Sequence, residues 1–329
     1  MKHAILVGAG GMGRAWARNL TSAGIGIEAW VDVRPAAAAE AAAELELTIP
    51  HTGLELSEAL KLPGVDFLVD VTVPEAHCAV TLAALGAGLP VLGEKPMASS
   101  VEEGRRMVAA AEAAGKLYMV SQSRRYDGNI AALRQQVRDS LGQIAILNAD
   151  FYRGPHFGGF RDEMPSPLLL DMAIHTFDQA RFVSGEDAVS VYAEEFNPSW
   201  SWYKGDACTT ALFEMTNGLK FNYRGSWCAN GLDTSWQAEW RAHGPNGAAK
   251  WDGETAPTVE LVGADGARMG YTAQTLAAPG GIEGSLAEFL HALETGATPN
   301  GECHDNIKSL AMVFAAFESA RKGVRVAVT

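Results

Sequence analysis

The chain has 329 residues, which is too long for one small core and suits two domains of ordinary size. Its formal net charge of −13, with no run of Lys or Arg, disfavours a nucleic-acid partner or an anionic membrane surface. No apolar run reaches the roughly 18 residues of a membrane span, and the first strand begins without a leader, so we expect a soluble cytoplasmic protein.

The N-terminal stretch has the order strand, tight turn, helix. An apolar strand runs directly into Gly8, Gly10 and Gly13, which fit the pattern G-x-G-x-x-G. The first glycine permits the turn, the second lets the backbone approach a pyrophosphate, and the third lets the helix pack against the strand. The next predicted strand ends in Asp32, where a carboxylate can accept both ribose hydroxyls of NAD. This combination predicts a dinucleotide site rather than an ordinary tight turn.

Strands and helices then alternate up to about residue 122. Apolar runs predict strands at 65–73, 89–92 and 117–122. Helices are predicted from Pro35 to about Leu45, from Glu75 to Gly86, and from a capping box at Ser100 to about Gly115. Because the region has no hairpin signal, the alternation predicts a doubly wound parallel sheet, in which ligands lie outside the carboxyl ends of the strands.

Beyond residue 122 the pattern changes to helices and consecutive strands. Helices are predicted at 127–140, 167–184, 284–294 and 304–322. Strand-like runs lie at 143–152, 189–196, 208–215, 219–228, 234–243, 258–262, 268–272 and 324–328. Turns such as Asn217-Gly218 and Asn246-Gly247 indicate a largely antiparallel sheet with helices on one face. We therefore expect a dinucleotide-binding domain over residues 1–122 and a substrate-binding and oligomerisation domain over 123–329, with the C-terminal helix able to pack back on the first domain.

The predicted helix from Pro167 to Ser184 is apolar over most of its surface, so it should be largely buried. Asp171, His175 and Asp178 are spaced by four and then three residues, which places them on one stripe of an α-helix. The plain interpretation is that this stripe faces solvent. The wide apolar remainder and the Gly/Pro-rich loop before the helix favour a polar cavity instead.

Lys95 follows a predicted central strand, at the edge of the sheet where a cofactor is expected, although a lysine at a strand end is commonly a solvated surface group. Lys95 and His175 together suit hydride transfer. An alcohol must lose its hydroxyl proton as its hydride leaves, and histidine takes up protons near neutral pH. A lysine cation would stabilise the developing alkoxide, and Asp171 would orient His175 or bind a substrate hydroxyl.

Three motifs, Gly8-x-Gly10-x-x-Gly13, Glu94-Lys95-Pro96 and Asp171-x-x-x-His175, resemble the signatures of the Gfo/Idh/MocA family (glucose-fructose oxidoreductase, inositol dehydrogenase, rhizopine catabolism). Pro74 with His77, and Gly244-x-x-Gly247, are also similar to the family. The resemblance covers nearly the whole chain. It implies an α/β protein with an N-terminal Rossmann doubly wound parallel sheet and a C-terminal α/β domain with a large open, mainly antiparallel sheet. It also implies an NAD(P)-dependent dehydrogenase of a sugar, cyclitol or related polyol.

The same resemblance implies roles by position. The catalytic group would be Lys95, Asp171 and His175, with His175 as acid/base and Lys95 as its electrostatic partner. The dinucleotide would be held by Gly8, Gly10, Met12, Gly13 and Asp32, with its nicotinamide half lined by Pro74, His77, Glu94 and Lys95. One position departs from the family, because Ala173 stands where a glycine is common.

Asp32 would repel the 2′-phosphate of NADP, which favours NAD, while Arg34 could pair with that phosphate and keeps NADP open. A metal at Asp171 and His175 is disfavoured, since no third His or Cys ligand lies at a telling spacing. Besides Asp171 and His175, we expect substrate contacts from residues that precede the catalytic helix, in or near the Gly/Pro-rich loop: Arg125, Tyr126, Tyr152, His156, Phe157 and Arg161.

The four cysteines are far apart and form no C-x-x-C pair, which argues against a zinc site or a disulfide framework and predicts bystander thiols. Six of the eight tryptophans fall between Trp200 and Trp251, where core packing or a subunit interface is the common use of such side chains. We expect a homodimer or homotetramer through the open sheet face.

Two other functions stay open at this point. One is a redox-neutral glycosidase that keeps NAD bound and regenerates it within each turnover. The other is a non-catalytic NAD(P)-binding regulator, which would not need Lys95 and His175 together.

Overall fold

The computed structural model describes residues 1–34 and 36–329 and divides into two compact units. The first unit comprises Met1–Ser123 and Gly281–Leu310, and the second comprises Arg124–Gly280 and Ala311–Thr329. The predicted helix start at Pro35 lies outside the described residues. Among the described helices, none is long and apolar enough to cross a membrane.

The first unit is built on a five-stranded parallel sheet in the order β2-β1-β3-β4-β5. Its strands are β1 (His3–Val7), β2 (Gly26–Val31), β3 (Phe67–Asp70), β4 (Val91–Glu94) and β5 (Tyr118–Ser121). The helices between them are α1 (Gly11–Ser22), α2 (Ala37–Glu44), α3 (Leu56–Ala59), α4 (Pro74–Gly86) and α5 (Val101–Ala114). Every residue of β3, β4 and β5 is buried, as expected for parallel strands covered on both faces. The predicted doubly wound parallel sheet is confirmed.

The second unit is built on a nine-stranded sheet in the order β13-β12-β11-β10-β6-β9-β8-β7-β14. Of its neighbouring strands, β6 and β9 are parallel and the other described pairs are antiparallel. The strands are β6 (Ile146–Tyr152), β7 (Ala188–Phe196), β8 (Cys208–Met215), β9 (Lys220–Ser226), β10 (Glu239–Gly244), β11 (Gly247–Trp251), β12 (Thr258–Val262), β13 (Arg268–Thr272) and β14 (Val326–Ala327). The predicted mainly antiparallel sheet is confirmed.

Turn chemistry explains two of the hairpins in this sheet. Asn217 and Gly218 both have positive φ, 55° and 79°, where β8 turns into β9. Gly247 begins β11, and a Cβ there would lie 2.1 Å from the carbonyl oxygen of Glu260. Strand β10 begins at Glu239 and not at residue 234, because Ser235 accepts the backbone N–H of Gln237 in a turn (2.9 Å).

Two helices, α6 (Gly128–Asp139) and α7 (Ile174–Ser184), pack on one face of the second sheet. On that face Phe177 of α7 meets Phe213 edge to face, with ring centroids 4.8 Å apart. The other face carries polar side chains, among them the ion pair between Asp150 and Arg224 (2.7 Å). This arrangement is the predicted open sheet with helices on one side.

The last two helices are α8 (Gly281–Thr295) and α9 (Cys303–Lys322). Helix α8 belongs to the first unit, where Phe289 packs against Phe67 at 5.3 Å between ring centroids. Helix α9 contributes residues up to Leu310 to the first unit and its later residues to the second. The assignment of functions to domains at a boundary near residue 122 stays a prediction.

Candidate active site

In the turn between β1 and α1, packing requires glycine at Gly8 and Gly13 but not at Gly10. A Cβ on Gly8 (φ +104°) would lie 2.5 Å from the carbonyl oxygen of Val71, and a Cβ on Gly13 would lie 2.1 Å from that of Gly8. A Cβ on Gly10 would meet no described atom within 4 Å. Gly10 is exposed at the start of α1, whose first N–H groups have no side-chain cap. The open space at Gly10 fits the close approach of a pyrophosphate to the helix N-terminus.

Asp32 lies just after β2 and binds the same turn. Its Oδ2 accepts the N–H of Ala9 (2.8 Å), and its Oδ1 accepts the N–H of Arg34 (2.9 Å). The exposed Arg34 side chain places its Nε 3.7 Å from Oδ1. The Trp30 indole donates to the carbonyl oxygen of Gly8 (2.9 Å). The Asp32 carboxylate is therefore fixed against the glycine turn, with the Arg34 guanidinium beside it. Met12 is exposed on the first turn of α1.

Pro74 and His77, predicted to line the nicotinamide half, open helix α4. Pro74 is its first residue, and His77 is buried with its Nδ1 3.1 Å from Asp70 Oδ2. Thr72 donates its hydroxyl to Asp70 Oδ1 (2.6 Å) and lies 3.2 Å from His77 Nδ1. His77 is thus part of a buried polar network at the end of β3. Asp70 and Thr72 were not predicted from the sequence. Their polar side chains at the end of an apolar strand were the signal that could have identified them.

Glu94 is the last residue of strand β4, and Lys95 follows it directly. The buried Glu94 carboxylate accepts the Trp16 indole N–H (2.7 Å) and the backbone N–H of Lys95 (3.1 Å). Burial raises the pKa of Glu94, and the Trp16 hydrogen bond and the Lys95 charge oppose that rise. Lys95 itself is half-buried and joined to Pro96 by a cis peptide bond. The contact of Trp16 with Glu94 was not predicted, because no local sequence pattern indicates that α1 packs near the end of β4.

Asp171 and His175 lie on a helix that is not regular throughout. Residues Leu168–Ala173 are π-helical, and α7 begins only at Ile174. A π turn is wider than an α turn, so the prediction of an α-helix with one even stripe is wrong here, and such turns are frequent at functional sites. His175 is buried, as is every residue from Ile174 to Val183, which excludes the solvent-facing interpretation for α7.

Several of the predicted substrate residues cluster around Asp171. Arg161 places its Nε 2.8 Å from Asp171 Oδ2, and its guanidinium lies over Phe157 and Phe160, 5.5 and 4.7 Å from the ring centroids. His156 stacks on Trp202 in the same loop region, with centroids 3.7 Å apart. The Gly/Pro-rich loop therefore brings the Arg161 cation, with two phenylalanine rings against it, to the carboxylate that precedes His175.

Three other predicted residues have different surroundings. Arg125 is buried and forms a bidentate ion pair with Asp178, with both N–O distances at 2.6 Å. Tyr152 lies on the open face of the sheet, in register with Ser226, opposite the face that α7 covers. Tyr126 is half-buried just before α6. Their roles toward substrate stay predictions.

Two further groups near this loop were not singled out from the sequence. Arg124 donates to the carbonyl oxygen of Trp236, and burial lowers the pKa of Arg124 to about 10, opposed by Tyr223 and Asp171 nearby. The buried Asp162 Oδ1 makes no hydrogen bond with any described residue, whereas Arg153 Nε lies 3.8 Å from Asp233 Oδ2 in an ion pair. Buried polar atoms without an internal partner are the kind of group that a hydroxyl-rich ligand satisfies.

Two family models match the chain. The model of the "Oxidoreductase family, NAD-binding Rossmann fold" matches residues 2–122, and that of the "GFO/IDH/MocA C-terminal domain" matches residues 130–250. The first match covers the whole parallel sheet, and the second covers β6 to β10 and most of β11 of the second sheet. The first match confirms the prediction of an NAD-binding Rossmann domain.

Individual proteins resemble this chain in sequence or in structure, over different fractions of its length. A 1,5-anhydro-D-fructose reductase of Ensifer adhaerens is 27% identical over 97% of this chain and 96% of its own. An inositol 2-dehydrogenase of Arthrobacter sp. is 33% identical, over 56% of this chain and 55% of its own. An oxidoreductase of Agrobacterium radiobacter, solved with NAD+, L-tartaric acid and magnesium, has a TM-score of 0.88 at 22% identity, covering 99% of this chain and 98% of its own.

Proposed function

The chain belongs to the Gfo/Idh/MocA oxidoreductase family, and from that premise we propose that it is an NAD-dependent dehydrogenase of a sugar, inositol or related polyol. The observation that carries the proposal is the helix that holds Asp171 and His175, with Arg161 on Asp171 and the unsatisfied Asp162 oxygen in the adjoining loop. That arrangement offers an acid/base group and several hydrogen-bonding partners for hydroxyl groups.

The glycine turn is the part of the chain that would hold the dinucleotide. Gly10 leaves room for the pyrophosphate, and Asp32 stands where ribose hydroxyls would be accepted. NAD, when bound, supplies the acceptor for a hydride. We favour NAD over NADP because the carboxylate of Asp32 would repel a 2′-phosphate, although Arg34 lies beside it.

The remaining chemistry falls to side chains of this protein. In the oxidation direction His175 accepts the hydroxyl proton of the substrate, and in the reduction direction it returns a proton to the carbonyl oxygen. Lys95 stabilises the negative charge that develops on that oxygen. Asp171, held by Arg161, orients His175 or binds a neighbouring hydroxyl. The proposal requires Lys95 and His175 to act on the same substrate molecule.

The substrate class rests on the curated relatives and on the loop chemistry. The relatives include an anhydrofructose reductase and an inositol dehydrogenase. We expect a screen of sugars, inositols and their acids, with NAD and NADP in turn, to give NADH formation with at least one polyol. If the protein retains tightly bound NAD and turns over glycosides without net NADH release, it is a glycosidase and the dehydrogenase proposal is wrong.

The two kinds of glycine in the turn lead to a prediction that separates folding from cofactor binding. Gly10→Ala should leave the melting temperature unchanged, because the new methyl group meets no described atom. It should weaken NADH binding about tenfold or more, roughly 1.4 kcal/mol, because the methyl group occupies the space for the pyrophosphate. Fluorescence titration of NADH measures the affinity.

Gly13→Ala is the matched control for that variant. Its methyl group would lie 2.1 Å from a backbone oxygen, so it should lower the free energy of unfolding of the first unit by about 1–3 kcal/mol. Equal melting temperatures for the two variants, or unchanged NADH affinity in Gly10→Ala, would contradict this assignment of roles.

We also propose that the open sheet face mediates a homodimer or homotetramer. Leu212 of β8 lies on that face opposite Tyr192 of β7, and both side chains are more than one-third exposed, so the face carries an apolar pair and not a single leucine. Light scattering should show a multiple of the monomer mass, and Leu212→Lys should shift it toward the monomer. The control is Val33→Lys, at a nearly fully exposed position of the first unit. A wild-type protein whose mass by light scattering is only that of the monomer would contradict the proposal.

A further inference from the structure

Three potential metal ligands from consecutive residues converge at the start of helix α9. Glu302, Cys303 and His304 each offer one ligand atom, and these atoms lie within 4.8 Å of one another. The Cys303 thiol donates to Glu302 Oε1 (2.9 Å), His304 Nδ1 lies 2.8 Å from the same oxygen, and Sγ and Nδ1 are 3.5 Å apart. All three residues belong to the first unit. The sulfur and the ring nitrogen thus both lie within hydrogen-bond distance of a single carboxylate oxygen.

The surrounding structure holds these ligands in place. Glu302 accepts the backbone N–H of His304 with its other oxygen (3.0 Å) and pairs with Met119 in an isolated β-bridge next to β5. The second ring nitrogen of His304, Nε2, lies 2.8 Å from Glu112 of helix α5. A carboxylate on the far nitrogen of a histidine is the arrangement that orients metal-bound histidines.

A second observation at the same helix face indicates a missing partner. Asn306 follows Cys303 by three residues within α9, so these two residues lie on the same face of the helix. Asn306 is fully buried, and neither its Oδ1 nor its Nδ2 has a hydrogen-bond partner among the described residues. An unsatisfied buried amide is costly, and a carbonyl oxygen is an acceptable metal ligand.

We propose that Glu302, Cys303 and His304 form a binding site for a divalent transition metal ion, with Zn²⁺ as the best match. Sulfur, imidazole nitrogen and one carboxylate oxygen are the donor set that Zn²⁺ prefers, whereas Ca²⁺ and Mg²⁺ need oxygen ligands. Ligand atoms around one tetrahedral Zn²⁺ stand about 3.3–3.7 Å apart, so the present separations need to open by only about half an ångström. Asn306 or solvent completes the four ligands.

The proton balance of binding is simple. The thiol proton of Cys303 and the proton on His304 Nδ1 leave to solvent, and Sγ and Nδ1 each donate an electron pair to the ion. The proton on Nε2 remains and is donated to Glu112. Cys303 is fully buried while half of the His304 side chain is exposed, so the ion can reach the site from the histidine side.

The proposed ion would link three parts of the first unit: the loop before α9, helix α5 through Glu112, and the neighbourhood of β5. It has no part in the proposed hydride transfer. The sequence argued against zinc because no C-x-x-C pair is present. That criterion does not detect ligands on three consecutive residues at the start of a helix, such as Glu302, Cys303 and His304.

Titration of the full-length reduced protein with Co²⁺ tests the proposal independently of enzyme activity. We expect one Co²⁺ per chain with a thiolate-to-cobalt charge-transfer band in the near ultraviolet, and loss of that band when Zn²⁺ is added. Zn²⁺ should also raise the melting temperature. Cys303→Ser should abolish the band, and Glu112→Gln, at an exposed position, should weaken Co²⁺ binding about tenfold or more.

The control is Cys78→Ser, which changes another buried thiol of the first unit and should leave the band intact. A titration without a charge-transfer band would overturn the proposal. So would a band that persists in Cys303→Ser, or full Co²⁺ affinity in Glu112→Gln.

Discussion

Replacing His175 with alanine is expected to lower kcat by about 10²–10⁴-fold, because the substrate hydroxyl then loses its positioned proton acceptor. NADH binding should change little, since the glycine turn and Asp32 are untouched. Steady-state kinetics with the polyol identified in the screen measure the first effect, and NADH fluorescence titration measures the second. Lys95→Ala should likewise lower kcat by a similar factor and leave NADH binding nearly unchanged, because the developing negative charge loses its cation.

The matched control is His243→Ala, since His243 is exposed on β10 in the same unit as His175. That variant should keep wild-type kcat. Near-normal turnover in His175→Ala would contradict its acid/base role, and near-normal turnover in Lys95→Ala would contradict its role in stabilising the developing negative charge. Loss of NADH binding in both variants would instead indicate that they disturb the cofactor site.

Arg125→Ala is expected to destabilise the second unit by about 3–5 kcal/mol, because it leaves the Asp178 carboxylate buried without its bidentate partner. Chemical denaturation measures the change in the free energy of unfolding. The double variant Arg125→Met with Asp178→Leu should recover much of the loss, since no buried charge remains.

This experiment also separates the two interpretations of Arg125. If the side chain mainly binds substrate, Arg125→Ala would raise KM and leave the free energy of unfolding near the wild-type value. The exposed ion pair of Arg138 with Asp139 provides a control, because its removal by Arg138→Ala should cost less than about 1 kcal/mol.

Local patterns of residues were sufficient for the architecture. Continuous apolar runs predict the buried parallel strands, and turn residues such as Asn217-Gly218 predict the hairpins, because both signals act between neighbours in the chain. The Gly8, Gly10 and Gly13 pattern predicts the dinucleotide turn for the same reason. The irregular helix at Leu168–Ala173 was not predictable, since a π turn depends on what packs around it.

By itself the sequence determined the family, the two kinds of sheet and the position of the glycine turn, because those depend on residue order and on apolar periodicity. Only the tertiary structure decided which side chains meet. It paired Arg125 with Asp178, Arg161 with Asp171, and Trp16 with Glu94, all far apart in the chain or linked by an irregular loop. It also brought the thiols of Cys208 and Cys228 to 3.9 Å. Such contacts follow from burial and packing between elements, and no local pattern of residues encodes them.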